Sequence, residues 1–351
     1  MEVHMNYIAL DIGGVYIKSA LVVEKNGGIE IQRTVRNPYN FRIHAADLKD
    51  SLTTELVSHL SGDSNVDAII VTITAETVGI FSTIGDGIKT ITSICEQAFP
   101  QIRIGYISVN GEFCDVKAVM KNPMKFASAN WVATATLAAQ TINNGLFIDI
   151  GSTTTDIIPI KNGQVVPRET TDLGRLKSGE LIYSGIQRTY IAHIVDSLPY
   201  NDTDIPLAAE IRCFTAHVYV VLKILGEFKM LHPITGRNMK ITRDYALDMI
   251  ARSVCGDRNM LNDSVLLKMA DHVRFEQCNK LINSLKRIIN RNWSYGEEIQ
   301  IMLTGSGKII GKMALEDHRL GKIVTCDQFE KDDDNTTALA LGILASNYLK
   351  Q

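Results

Sequence analysis

Short apolar runs alternate with helix-spaced segments over the first 160 or so residues. Residues 6–35 carry two or three β-branched apolar runs broken at Lys25-Asn26-Gly27-Gly28, which predicts strands joined by a tight turn. Residues 46–61 place their apolar side chains at helical spacing. Ala68–Thr74 is continuously apolar, the mark of a strand buried on both faces. Residues 87–99 predict a helix closed by Pro100, Ile104–Val109 predicts another strand, and Trp131–Gln140, rich in Ala and Thr, predicts a packed helix. This alternation implies an α/β domain with a mixed sheet. From about 179 to 295 helical patterns dominate, interrupted by Pro206, Pro233 and the turn-forming Thr235-Gly236-Arg237-Asn238. Ile299–Thr304 is again an apolar strand, and Asn335–Leu349 predicts a final Ala- and Leu-rich helix. The acidic run Asp332-Asp333-Asp334 precedes it, where acids complement a helix N-terminus.

Two places in this pattern repeat one device. Ala9-Leu10-Asp11-Ile12-Gly13-Gly14-Val15-Tyr16-Ile17-Lys18 and Leu146-Phe147-Ile148-Asp149-Ile150-Gly151-Ser152-Thr153-Thr154-Thr155-Asp156 are each an apolar strand ending in Asp, a Gly turn and a return strand. A single such turn is weak evidence, since Asp and Gly are common turn residues. Two copies after buried strands suggest facing hairpins that grip a phosphate chain and its metal. Gly13, Gly14 and Gly151 are expected to permit positive φ and a close backbone approach. Ser152, Thr153 and Thr154 add hydroxyl donors. Asp11 and Asp149 are placed to hold Mg²⁺, because hard cations prefer carboxylate and water oxygens. Lys18 and Asp156 each follow their Asp by seven residues, and Lys18 is a candidate phosphate contact. A third motif, Ile301-Met302-Leu303-Thr304-Gly305-Ser306-Gly307, feeds a strand through a Gly-rich turn into a helix, a further site of close ligand approach.

Composition narrows the function classes. A chain of 351 residues exceeds the usual single core, so two domains are expected. A net charge of −3 gives no basic excess of the kind a nucleic-acid footprint needs. The six cysteines, Cys95, Cys114, Cys213, Cys255, Cys278 and Cys326, include no C-x-x-C pair, which fits reduced, structural thiols. No apolar run approaches the ~18 residues of a membrane span, and Met1–Asn6 does not start a signal peptide. A cytoplasmic protein without nucleic-acid or membrane partners follows as the expectation. His217, His232 and His272 lack metal-ligand spacing and are expected to be structural.

Asp11-Ile12-Gly13-Gly14, Asp149-Ile150-Gly151-Ser152-Thr153 and Thr304-Gly305-Ser306-Gly307 resemble the phosphate-1, phosphate-2 and adenosine motifs of the sugar kinase, actin and Hsp70 superfamily. That resemblance implies an α/β fold of two ribonuclease H-like domains with an interdomain cleft and a helical insertion. The expected domains are 1–140 plus 336–351, with the last helix packed back on the first domain, and 141–335 including the helical segment 179–295. Val71-Thr72-Ile73-Thr74-Ala75-Glu76, Ala129-Asn130-Trp131-Val132-Ala133-Thr134-Ala135 and Ile148–Asp156 resemble a narrower group in the hydantoinase and oxoprolinase branch. This is the methanofuran-biosynthesis synthase family, linked to the tetrahydromethanopterin one-carbon pathway of methanogens and some methylotrophs. Similarity runs through nearly the whole chain. Tyr16 departs from it, standing where the family more often has a small polar residue.

The family reaction joins a furanylmethyl diphosphate to the phenol oxygen of γ-glutamyltyramine and releases diphosphate. Gly loops and Mg²⁺ suit a departing diphosphate. The acceptor phenol, with an ordinary pKa near 10, benefits from a base. Asp11, Asp149 and Glu76 are the candidates for catalysis, the first two being also the candidate metal ligands. Gly13, Gly14, Lys18, Gly151, Ser152, Thr153, Thr154, Gly305, Ser306 and Gly307 are candidates for the diphosphate or nucleotide. Asn130, Trp131, Arg175 and Lys177 are candidates for substrate binding. The partners implied are the two small-molecule substrates, with a homodimer as the assembly to test.

Three rivals remain open on the residues alone. An ATP-dependent small-molecule kinase or a hydantoinase/oxoprolinase-like amidohydrolase needs the same diphosphate grip. A sugar kinase of this superfamily usually carries its catalytic Asp in a G-x-G-D context, and Gly85-Asp86-Gly87 is the nearest approach here, early in the chain. A nucleotide-switched binding protein would carry a client domain or long appended segment, and none is evident.

Overall fold

A computed structural model describes residues 5–25, 28–59, 66–208, 213–232, 237–316, 320–325 and 335–349. Met1–His4, the turn centre Asn26-Gly27, Pro233 and Thr235-Gly236, Cys326 and the acidic run Asp332-Asp333-Asp334 lie outside the described residues. The chain forms two compact units, one from residues 1–143, 160–174 and 326–351, the other from 144–159 and 175–325.

The first unit is built on strands β1 (Met5–Ile12), β2 (Tyr16–Lys25), β3 (Gly28–Pro38), β4 (Ala68–Ile73), β5 (Arg103–Ile107) and β6 (Phe113–Cys114), in sheet order β3-β2-β1-β4-β5-β6. β1 runs antiparallel to β2 and parallel to β4. β4 is buried at all of its positions, as its unbroken apolar run demands of a central parallel strand. The helix Ile84–Ala98 starts at Thr83, whose hydroxyl accepts the Asp86 amide, and packs Ile88, Ile91 and Cys95 into the core with Leu48 and Leu52 of the helix Leu48–His59. The final helix, Thr336–Leu349, lies on the same sheet. Tyr7 Oη donates to the Gly342 carbonyl at 2.7 Å, and Ser346 Oγ meets Glu24 Oε2 at 2.9 Å. Gly342 is small because a Cβ there would stand 2.5 Å from Val22 Cγ2.

The second sheet repeats this plan with β7 (Asn144–Ile150), β8 (Thr155–Lys161), β9 (Gln164–Val165) and β10 (Leu181–Ile182), then, after two small hairpins, β15 (Gln300–Thr304) and β16 (Lys322–Val324). Its order is β10-β8-β7-β15-β16, with β9 paired to the end of β8. As in the first sheet, the strand that carries the Asp is central and pairs in parallel with the strand beyond it. The 30-residue helix Asp263–Asn292 buries Cys278, Leu281, Ile282, Leu285 and Ile288 against this sheet.

The segment expected to be helical is only partly so. Hairpins β11 (Ser197–Tyr200) with β12 (Thr203–Pro206), and β13 (Phe228–Leu231) with β14 (Asn238–Ile241), lie among the helices Thr215–Val221, Arg243–Arg252 and Asp263–Asn292. Together they enclose a second core around Leu198, Phe214, Val218, Leu247 and Met269. His217 belongs to this core. Its Nδ1 accepts the Phe214 amide at 2.9 Å, and burial pushes the imidazole down to about 4, so it is neutral at physiological pH. Among the described residues no helix is long and apolar enough to cross a membrane.

Candidate active site

Both Asp-Gly turns close through the same hydrogen bond. Gly13 N–H donates to Tyr16 O at 3.0 Å, and Gly151 N–H donates to Thr154 O at 2.8 Å. Each Asp stands two residues before the donor glycine. The expected positive φ is absent from Gly13, Gly14 and Gly151. At Gly13 and Gly14 the requirement is space: a Cβ on Gly13 would lie 2.8 Å from Tyr16 O, and one on Gly14 would collide with Val78 Cγ1. Left-handed backbone is found instead at Gly305, where φ is +85° and a Cβ would collide with Asp149 Oδ1. Gly307 is equally confined, 2.5 Å from Ile150 Cγ2 at its would-be Cβ, and its amide donates to Ile150 O at 2.7 Å. The second hairpin and the 304–307 turn are thus interlocked at Asp149 and Ile150. Ser152 binds the amides of Gln187 and Arg188 through its carbonyl, and the half-buried Ser306 follows Gly305 in its turn.

Sheet register sets a threonine opposite each Asp. Asp11 faces Thr72 across the parallel pair β1–β4, and Asp149 faces Thr304 across β7–β15. Both threonines are buried, and neither hydroxyl has a hydrogen-bond partner among the described residues. Asp11 Oδ1 is likewise buried without one, while Oδ2 lies 3.4 Å from Lys18 Nζ, its antiparallel neighbour. A buried polar group left unpaired costs about 1–3 kcal/mol, so such atoms at strand ends suit a ligand better than a packing role. Tyr16 lies under the Arg36 guanidinium, 3.9 Å from its ring centroid.

Glu76 sits in the 3-10 turn Ala75–Thr77, just past the end of β4 and so beside the Asp11 hairpin, at the carboxyl ends of neighbouring strands. Thr74 N–H donates to Ile12 O, tying the two together. Glu76 is only 3 % exposed. Its Oε1 accepts both the amide and the hydroxyl of Ser128 at 2.8 Å, whereas Oε2 has no partner among the described residues. Burial pushes this carboxyl up to about 7; the Ser128 hydroxyl works against the rise and the charge of Asp172 adds to it. Helix Ile84–Ala98 comes close enough only because of Gly87, whose Cβ would lie 2.9 Å from Glu76 Cβ. Asp86 in the same helix accepts the Thr83 hydroxyl at 2.7 Å, which makes it a helix-start residue.

The substrate-binding candidates divide. Asn130 is half-buried at the first position of the helix Asn130–Ala138, two residues after Ser128. Trp131 is buried among the apolar residues of that helix. Arg175 is 1 % exposed and its Nη2 meets Asp156 Oδ1 at 2.6 Å and the Glu180 carbonyl at 3.3 Å, so its charge is paired inside its own unit and withdrawn from solvent. Lys177 is exposed on the same helix, Asp172–Ser178. Ser128 was not legible as a site residue, and the motifs Val71–Glu76 and Thr304–Gly307 pointed to their acid and glycines without singling out the Thr72 and Thr304 hydroxyls. For Thr72 the signal was a single hydroxyl inside an otherwise aliphatic strand.

No group of three or more His, Cys, Asp or Glu stands in a metal-holding arrangement among the described residues. Asp11 in the first unit and Asp149 in the second each offer a carboxylate, the kind of oxygen donor that Mg²⁺ takes alongside waters and phosphate oxygens.

Comparison with known proteins accords with this picture. A family model described as hydantoinase/oxoprolinase matches residues 67–200. Among solved structures, nucleotide-free acetone carboxylase aligns over 97 % of this chain and 70 % of its own with a TM-score of 0.57 at 9 % identity, a likeness of fold. The (4-{4-[2-(γ-L-glutamylamino)ethyl]phenoxymethyl}furan-2-yl)methanamine synthase of Methanocaldococcus jannaschii is 30 % identical over 306 residues, 84 % of this chain and 88 % of that protein. The synthase of the same description from Methanococcus vannielii is 27 % identical over 211 residues, 59 % of this chain and 92 % of that protein. The chain belongs to this family of methanofuran-biosynthesis synthases.

Proposed function

We propose that the chain is a transferase that joins a furanylmethyl diphosphate to the phenol oxygen of γ-glutamyltyramine, releasing diphosphate. The product in the relatives' name carries a phenoxymethyl ether between an aminomethylfuran and a γ-glutamylated phenethylamine. Disconnecting that ether leaves a phenol and a furanylmethyl electrophile. The methylene C–O bond to the diphosphate breaks, the bond from the phenol oxygen to the methylene carbon forms, and the phenol proton goes to a base.

Glu76 carries this reading. Asp11 and Asp149 are the proposed Mg²⁺ ligands, which leaves Glu76 as the candidate acid without that duty. A carboxyl raised to about 7, with one oxygen buried and unpartnered among the described residues, is poised to accept a proton at physiological pH. Mg²⁺, when bound, neutralises charge building on the leaving diphosphate. The turns at Gly13-Gly14 and Gly151–Thr154 and the Gly305–Gly307 turn are the proposed diphosphate contacts, with Lys18 adding a positive charge. Thr72 and Thr304 would hold the ligand's or its waters' oxygens. Lys177 and Asn130 remain the proposed substrate contacts, and the superfamily's nucleotide grip would serve the substrate's own diphosphate.

The test is a mass-spectrometric product assay with Mg²⁺, 5-(aminomethyl)furan-3-ylmethyl or the isomeric furanylmethyl diphosphate, and γ-glutamyltyramine, run with and without ATP. Coupled ether and free diphosphate without ATP are expected. ATP consumption with no ether would move the protein to the kinase or amidohydrolase alternative.

A further inference from the structure

We infer that Ser128 is the positioning residue of Glu76: it occupies Oε1 with two hydrogen bonds and so leaves Oε2 as the single atom to which a proton can pass. The inference rests on the transferase reading only for what the proton is. The geometry stands by itself.

Ser128 has φ of +48°, a left-handed conformation that L side chains rarely adopt. Its surroundings fix it there. Ala127 bridges to Ile73 at the end of β4, and Phe126 and Ala129 on either side are buried. In this conformation the amide and the hydroxyl of one residue reach the same carboxylate oxygen, each at 2.8 Å. A turn that needed only a left-handed residue would be served best by glycine. The hydroxyl is what glycine lacks, and it is the part that touches Glu76. Phe81 and the Cα and Cβ of Glu76 both pack at the bare face of Gly87, and Asp172, at the start of the helix Asp172–Ser178, is the charged group that acts on the carboxyl. Both Ser128 bonds favour the ionised carboxylate against burial, so they set where the group titrates as well as where it points.

Ser128→Ala and Ser128→Gly separate the two roles, since both remove the hydroxyl and only the second relieves the backbone. The direct readout is the ¹³C carboxyl titration of Glu76, identified by its loss in Glu76→Gln. Its midpoint is expected to move up by about one unit in both variants. The acid limb of kcat/KM should move with it, and kcat should fall about tenfold or more at pH 7 with KM little changed. A glycine variant that titrates and turns over like the parent would overturn the inference, because the residue would then serve only the turn. An unmoved carboxyl titration in both variants would do the same. A shifted titration in a protein that forms no ether under any condition would uphold the hold of Ser128 on Glu76 and sink the transferase reading instead.

Discussion

Asp11 faces Lys18 across the first hairpin, whereas the residue at Lys18's place in the second hairpin is Asp156, which turns to Arg175. The same sheet position thus carries a cation in one unit and an internally neutralised anion in the other. The first hairpin keeps a half-buried ammonium beside its acid, and the second supplies hydroxyls at Ser152, Thr153 and Thr154. The two Asp residues are the element common to both. Asp11→Ala and Asp149→Ala are expected to lower ether formation by two to three orders of magnitude, on the scale of losing a preorganised charge contact. Circular dichroism should show the fold retained. Near-normal turnover in either variant, measured by product mass, would remove the hairpins from the mechanism.

Arg175 is a test of burial against function. Breaking a buried ion pair by removing one partner costs about 3–5 kcal/mol, because the other charge is left stranded. Arg175→Ala should therefore lower the urea midpoint strongly, and Arg175→Ala with Asp156→Ala should recover much of the loss. A variant that unfolds like the parent but binds γ-glutamyltyramine poorly would restore the substrate-carboxylate role that the Asp156 contact argues against.

Gly305 admits no side chain. Its φ of +85° disfavours an L residue, and its missing Cβ makes room for Asp149 Oδ1 and the Ile150 carbonyl. Gly305→Ala is expected to displace the Asp149 carboxylate and to abolish turnover while costing about 1–3 kcal/mol in stability. Gly151→Ala is the control: its Cβ would lie 3.5 Å from Thr154 O, an ordinary contact, and the backbone there is not left-handed. That variant should keep its stability. Equal instability in both would show that the Gly305 turn is no more constrained than the hairpin.

What the sequence revealed follows from range. Ala68–Thr74 was legible because a central parallel strand is apolar or β-branched at every position, and the Asp-Gly turns because hairpin partners are close in the chain. The β11–β12 and β13–β14 hairpins were not, since four-residue strands such as Ser197–Tyr200 and Thr203–Pro206 mix proline, acid and hydroxyl with no period to read. Glu76 was visible as an acid after a buried strand. Its partner was not, because Ser128 is 52 residues away and matters through a backbone angle that no composition encodes. Arg175 was visible as a charge, and only the fold shows that the charge is already paired.

Glu76 and His217 should give the two units opposite responses to pH. Glu76 is raised from 4.5 to about 7 in the folded chain. Its contribution is fully present below pH 4.5 and is lost as pH rises to about 7, a loss of about 3 kcal/mol for such a shift. His217 is lowered from 6.5 to about 4, so its contribution is present above pH 6.5 and is lost as pH falls towards 4, by a similar amount. Glu76 lies in the first unit and His217 in the second. Amide exchange reads each unit separately once intrinsic exchange rates are divided out. Between pH 5 and 7, protection in β4 is expected to fall while protection in the helix Thr215–Val221 rises. Glu76→Gln should flatten the first trend, leave the second untouched, and make the first unit more stable than the parent at pH 8. If the variant and the parent show equal protection in β4 at pH 8, Glu76 is ionised in the fold without penalty, and a base tuned by burial is no longer tenable.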